Sequence, residues 1–233
     1  MKLSLGSPLI FDLGEKLHPI KFTALFVAII LSLVVSPFVT HGHEIILGLA
    51  VSIILLAAIF SVSSNKAQFI TALILGVPPI LLSLLVQDFT NQNLLLASCF
   101  FRFAFFAFII FVYLFYILTS NKITRDTLFG AISIYFLMGL AWMHLYSALE
   151  ILFPGSFQGV YEAGQSYSHD FLSNFMYFSY VTLSTLGYGD LIPVSLPAKT
   201  FSILEAMFGQ LYLAILIARL IGLHIVKGSS KRW

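Results

Sequence analysis

Six stretches of this chain, residues 22–39, 45–62, 67–86, 94–119, 128–152 and 197–226, run for 18 positions or more with almost no charge. A helix needs about 20 apolar residues to cross the hydrocarbon core of a bilayer, so each can span it. The ionisable residues inside these runs are few and include Arg102 in the fourth, His144 and Glu150 in the fifth, and Lys199, Glu205 and Arg219 in the sixth. With 59% hydrophobic and only 9% charged residues, the chain has too little polar surface to clothe six apolar helices in water. The expected fold is an all-α membrane protein with six transmembrane helices. A net charge of +2 leaves no basic footprint for nucleic acid. Cys99 is the single cysteine, so no disulfide forms within the chain.

The basic residues orient the helices. Lys2, Lys16 and Lys21 precede the first run, Lys66 lies between the second and third, Lys122 and Arg125 between the fourth and fifth, and Lys227, Lys231 and Arg232 follow the sixth. The alternate connections, residues 40–44, 87–93 and 153–170, contain neither Lys nor Arg. The positive-inside rule then places both termini in the cytoplasm of a multi-pass cell-membrane protein, with Lys199 as the one exception. The start of the chain lacks the apolar core and small-residue cleavage site of a signal peptide and reads as retained.

Between the last two runs lies a shorter apolar segment, residues 170–184, reading DFLSNFMYFSYVTLS. Fifteen residues are few for a span and suit a re-entrant helix that enters from the outer side and stops within the membrane. It leads into STLGYGD, residues 184–190. Irregular backbone at membrane depth is tolerated only where protein buries it or it lines water. Gly187 and Gly189 adopt positive φ without steric cost. Alternating backbone hands along an extended segment turn successive carbonyls to one side, and such a ladder of oxygens can replace the water shell of a cation. The short helix brings the negative end of its dipole to the same place.

In TLGYG the chain resembles the filter loop of the potassium-channel superfamily, with Leu186 where valine is usual. The likeness continues through Asp190-Leu191-Ile192-Pro193 and reaches Gly209, nineteen positions beyond Asp190, where that family places an inner-helix hinge. It covers roughly residues 132–222. The resemblance implies stacked potassium sites built from the carbonyls of Thr185, Leu186, Gly187 and Tyr188 and from the Thr185 hydroxyl, with Gly189 completing the filter and Asp190 at the outer mouth. Tyr188 would brace against aromatic partners on the short helix, offered by Tyr177, Phe178 and Tyr180. One loop cannot surround an ion, so a single copy per chain implies a homotetramer. The expected organisation is a cytoplasmic segment over 1–21, a four-helix membrane region over 22–119, a pore domain over 128–226 and a short basic tail over 227–233. Potassium is the permeant ion, and no cofactor is expected.

The first four helices do not read as a voltage sensor. Sensor helices carry several arginines at every third position, whereas the fourth run carries Arg102 alone. One charge moved through 100 mV is worth about 2.3 kcal/mol, and steep gating uses three to four such charges per subunit. Arg102 reads as a structural charge paired in a wet crevice. The tail leaves no room for a nucleotide- or calcium-binding domain. Glu205 has two readings, an acid that hydrogen-bonds the short helix from behind and steadies the filter, or a neutral acid near the interface. His41, His43 and Glu44 form either a zinc site or a solvated turn, and His169 beside Asp170 either senses external pH or accompanies a helix cap. His144 reads as a packed side chain. No nucleophile triad, phosphate loop or carboxylate pair points to an enzyme. The expected function is passive, potassium-selective conduction with little voltage dependence. The alternatives are a non-selective or sodium-permeable cation channel and, from another class, a silent subunit or secondary transporter.

Overall fold

The computed structural model describes residues 21–35, 54, 57–59, 66–85, 91–119, 124–160 and 169–229. The expected helix over 45–62 falls almost wholly outside them, as do His41, His43 and Glu44. The described elements are α1 (Lys21–Val35), α2 (Lys66–Leu85), α3 (Gln92–Thr119), α4 (Arg125–Leu152), β1 (Phe157–Gln158), α5 (His169–Leu183), β2 (Ile192–Pro193) and α6 (Leu196–Ser229). Helices α3, α4 and α6 are long and apolar enough to cross a membrane, while α1 and α2 are apolar but shorter. The chain is a helical membrane protein. Helix α6 runs on to Ser229, past Val226 where the apolar run ends.

Helix α4 is the central element, with α1, α3, α5 and α6 all packing against it. Its N-terminus is closed by a capping box in which the Thr127 amide donates to Thr124 Oγ1 at 3.1 Å and the Thr124 amide donates to Thr127 Oγ1 at 2.8 Å. Within the same first turn, Asp126 serves a second helix, since the Thr23 amide and hydroxyl both donate to its Oδ1 at 2.9 Å. A carboxylate there satisfies an orphan donor of the first turn of α1 and lies at the positive end of two helix dipoles.

The buried face of α3, Leu95, Ser98, Cys99, Arg102, Phe105, Phe106, Ile109, Tyr113 and Ile117, recurs at helical spacing. Its lower part joins a core in which Phe22 meets Tyr113 edge to face at 4.8 Å. Its upper part, Leu95 and Cys99, joins a second core with Tyr146, Phe157, Phe171 and Phe175. Pro78 and Pro79 lie inside α2 without ending it, as membrane helices allow.

Beyond α4 the chain turns outward and returns. Strand β1 pairs antiparallel with β2, Phe157 opposite Pro193 and Gln158 opposite Ile192. Gly159, at φ +90°, sits so close to the Asp190 carbonyl that a Cβ there would collide with it. This ribbon clasps together the two ends of the segment that contains α5 and the loop after it.

Candidate functional site

Helix α5 has 15 residues, His169 to Leu183, and stops short of a full span. Its last carbonyls are taken up by the chain that follows: Ser184 donates to Tyr180 O at 3.0 Å, Thr185 to Thr182 O at 2.9 Å and Leu186 to Val181 O at 2.9 Å. The backbone then alternates. Thr185, Gly187 and Gly189 have φ of +58°, +62° and +82°, and the intervening Leu186 and Tyr188 do not share that region. Thr185 is the exception among these, because a β-branched residue with positive φ is strained. Strain of this kind marks functional segments. Its hydroxyl donates to Ser184 O at 2.7 Å. Residues 184–190 are all exposed in the single chain.

Tyr188 turns back onto α5, where its ring lies parallel to that of Tyr177, centroids 6.2 Å apart and planes 4° from parallel. Tyr177 then donates its hydroxyl to Asp190 Oδ2 at 2.7 Å, while the Leu191 amide donates to Oδ1 at 3.0 Å. The Tyr177 hydrogen bond is the main reason that the Asp190 carboxyl is held below its ordinary value, and the same bond pushes the Tyr177 phenol up to about 12. The other two aromatics expected beside Tyr188 face elsewhere. Phe178 packs edge-on against Tyr146 and Phe157, and Tyr180 donates its hydroxyl to Phe136 O at 2.8 Å.

Behind α5, Glu205 of α6 is fully buried. Its Oε1 lies 2.5 Å from Ser179 Oγ and its Oε2 accepts the Tyr146 hydroxyl at 2.6 Å. Ser179 Oγ also lies 2.8 Å from the Gly139 carbonyl oxygen, so one cluster joins α4, α5 and α6. Four residues on, Gly209 is buried against the Leu183 carbonyl at the end of α5, with no room for a Cβ. Helix α6 continues through it unbroken.

Gln210 is the functional candidate that sequence reading passed over. Its Nε2 donates a long hydrogen bond, 3.4 Å, to Thr185 Oγ1. The signal was present: between Ala206 and Ala218 the only polar side chains are Gln210 and Tyr212, and Tyr212 is occupied by Ala131 O at 2.5 Å.

Arg102 is buried between α3 and α4, near Cys99 and His144. The pairing expected of it is not found among the described residues, where its Nε has no hydrogen-bond partner. His144 is buried and stacks at 8° on Phe106. The side chains of His169 and Asp170 lie outside the described ones. Among the described residues no group of three metal-ligating side chains comes together.

A short helix, an exposed loop of alternating hand and a long helix packed behind both thus follow one another along the chain. Residues 127–223 match the family model described as an ion channel, a match that takes in α4, β1, α5, the loop, β2 and most of α6. Over that stretch the chain is similar to an ion-channel domain, a membrane-embedded class that is not enzymatic. No curated protein and no solved structure gives a significant match.

Proposed function

We propose that this chain is one subunit of a potassium-selective channel that conducts passively through a tetrameric pore with little voltage dependence. The observation that carries the reading is the run of positive φ at Thr185, Gly187 and Gly189, every second residue of TLGYG. A backbone of alternating hand aims consecutive carbonyls to one side, the arrangement that lets oxygens stand in for a cation's hydration shell. In this reading the carbonyls of Thr185 to Tyr188 and the Thr185 hydroxyl hold potassium, Asp190 stands at the outer mouth, Glu205 supports the filter from behind, and Gly209 lets α6 bend. Both termini are cytoplasmic.

Tetrameric assembly is supported by what one chain leaves open. Ideal Cβ atoms on Gly187 and Gly189 meet nothing within 4 Å, so the loop faces space that its own chain does not fill. Helix α6 exposes Ile203, Met207, Phe208, Leu211 and Ile215. Copies of the same chain around a fourfold axis cover part of this surface and close the ring of oxygens. The test is a bi-ionic recording on purified protein in planar bilayers, potassium on one side and sodium on the other. A reversal potential near the potassium equilibrium value is expected. Equal permeability would replace this reading with a non-selective cation channel.

A further inference from the structure

The cluster behind the filter contains more short oxygen–oxygen contacts than its hydroxyls have protons. Tyr146 OH lies 2.6 Å from Glu205 Oε2, Ser179 Oγ lies 2.5 Å from Glu205 Oε1, and the same Ser179 Oγ lies 2.8 Å from Gly139 O. Each of these three contacts needs a proton between its oxygens. Tyr146 supplies one and Ser179 supplies one, because a hydroxyl carries a single hydrogen. The Gly139 carbonyl has none to give. If Glu205 were a carboxylate, Ser179 would have to choose between its two acceptors, and the other contact would set lone pairs against each other at hydrogen-bond distance.

We propose that Glu205 is a protonated carboxylic acid that donates to Ser179, so that an unbroken donor chain runs from Glu205 through Ser179 to the Gly139 backbone and positions α5 beneath the filter. Each contact then has its proton: Tyr146 donates to Oε2, the acid donates through Oε1 to Ser179, and Ser179 donates to Gly139. Burial points the same way. Glu205, Tyr146, Ser179 and Gly139 lie at an apolar three-helix junction, where a lone carboxylate is costly unless a cation pairs with it. The side chains that hydrogen-bond Glu205 are neutral hydroxyls, Tyr146 from α4 and Ser179 from α5. Tyr135 of α4 and Tyr180 of α5 are its next titratable neighbours. Glu205 is thus a positioning residue. Ser179 lies on α5, six residues before Thr185 of the loop that follows it, so the angle of α5, and with it the start of the oxygen ladder, depends on this chain.

The functional half of the inference rests on the potassium-filter reading, whereas the proton does not, and the experiment separates them. Infrared difference spectra of the full chain in lipid nanodiscs at neutral pH, wild type minus Glu205→Gln, should show a carboxylic-acid carbonyl band present in the wild type and absent from the variant. A carboxylate pair in its place overturns the proposal. In recordings, Glu205→Ala should lower the potassium-to-sodium permeability ratio by about tenfold, the loss expected of an unsatisfied buried polar group. Glu205→Gln should restore it, because a carboxamide also donates to Ser179. Loss of selectivity in Glu205→Gln equal to that in Glu205→Ala overturns the donor role. Should the Gln variant fail to assemble, Tyr146→Phe removes the donor to Oε2 and should shift the acid band; an unmoved spectrum again counts against the assignment. A wild type that passes sodium and potassium equally would sink the filter reading while leaving the infrared result to decide the proton.

Discussion

The carbonyl oxygen of Leu183, the last residue of α5, rests against the Cα of Gly209 in the middle of α6. A methyl group there cannot be accommodated without moving the end of α5. Gly209→Ala therefore separates two roles. If the glycine served only as a flexible point, alanine would firm the helix by roughly 0.8–1.0 kcal/mol. Because it also serves as a packing notch, overpacking of about 1–3 kcal/mol should prevail over that gain. The expected outcome is a lower dissociation temperature of the assembled protein in detergent. A rise would show that bending, not fit, governs this position.

Gly187→Ala should abolish potassium current. A Cβ at this position meets nothing within 4 Å, so the effect comes from φ +62° alone. Left-handed backbone costs an L-residue roughly 1–2 kcal/mol, and four copies concentrate that strain in one pore. Persistent selective current in the variant would contradict the carbonyl ladder.

Assembly should depend on the permeant ion. A cation that binds the assembled filter and not the separated chains stabilises the assembly by mass action. Heating in detergent should dissociate the complex at a lower temperature in sodium than in potassium. Identical melting in both salts would argue against an ion site made from several chains, and a stable monomer would remove the proposed pore.

Voltage dependence should be shallow. Arg102 is the one basic residue within α3, so four subunits carry at most four such charges, worth about 9 kcal/mol per 100 mV even if all crossed the whole field. Burial with Cys99 and His144 leaves it no evident track to follow. Arg102→Gln should reduce expression or assembly more than it alters the slope of a conductance–voltage curve. A steep curve flattened by that change would make α3 a sensor after all.

The Tyr177–Asp190 contact sets the acid limit of the outer mouth. The Asp190 carboxyl is held below its ordinary value of 3.8, so its contribution is present above that value and is lost as pH falls through the lower value of the folded state. The Tyr177 phenol is pushed up to about 12, so its side of the bond is present below its ordinary value of 10.0 and is lost as pH rises through about 12. Current should be flat in external pH from about 5 to 9. Tyr177→Phe should move the acid loss to higher pH. A step near pH 6.5 that vanishes in His169→Gln would assign the sensing to that histidine.

What could be read from the chain before folding was local. A 15-residue apolar segment with no room to span read as a short helix, and the structure forms a helix of that length over His169–Leu183. Positive φ at Gly187 and Gly189 was legible because glycine alone adopts it freely. Thr185 joins them against its own preference, a choice imposed by the turn that closes α5. The three aromatics offered to Tyr188 could not all reach it. At about 100° per residue, Phe178 points away from the face of Tyr177, while Tyr180, only about 60° round, is drawn off by its hydrogen bond to Phe136 O. Ser179, Tyr146 and Gly139 were invisible for another reason. Each looks ordinary in its own helix, and their meeting depends on which faces of α4, α5 and α6 come together. Gln210 was the avoidable miss, since a lone amide in an apolar run is itself a signal.

Three hydroxyls from the pore elements close on backbone carbonyls of one helix: Tyr212 on Ala131 at 2.5 Å, Tyr180 on Phe136 at 2.8 Å and Ser179 on Gly139 at 2.8 Å. All three acceptors belong to α4, whose other sides carry α1 and α3. In mechanical terms α4 is a rigid bar, bolted at three heights to α5 and α6, with α1 and α3 on its other sides. Rotation of the bar shears the bolts together, because each is a directional bond with a tolerance of a few tenths of an ångström. A displacement of α4 by α1 or α3 would therefore strain all three bonds at once, and would reach α5 and α6 together and not one at a time.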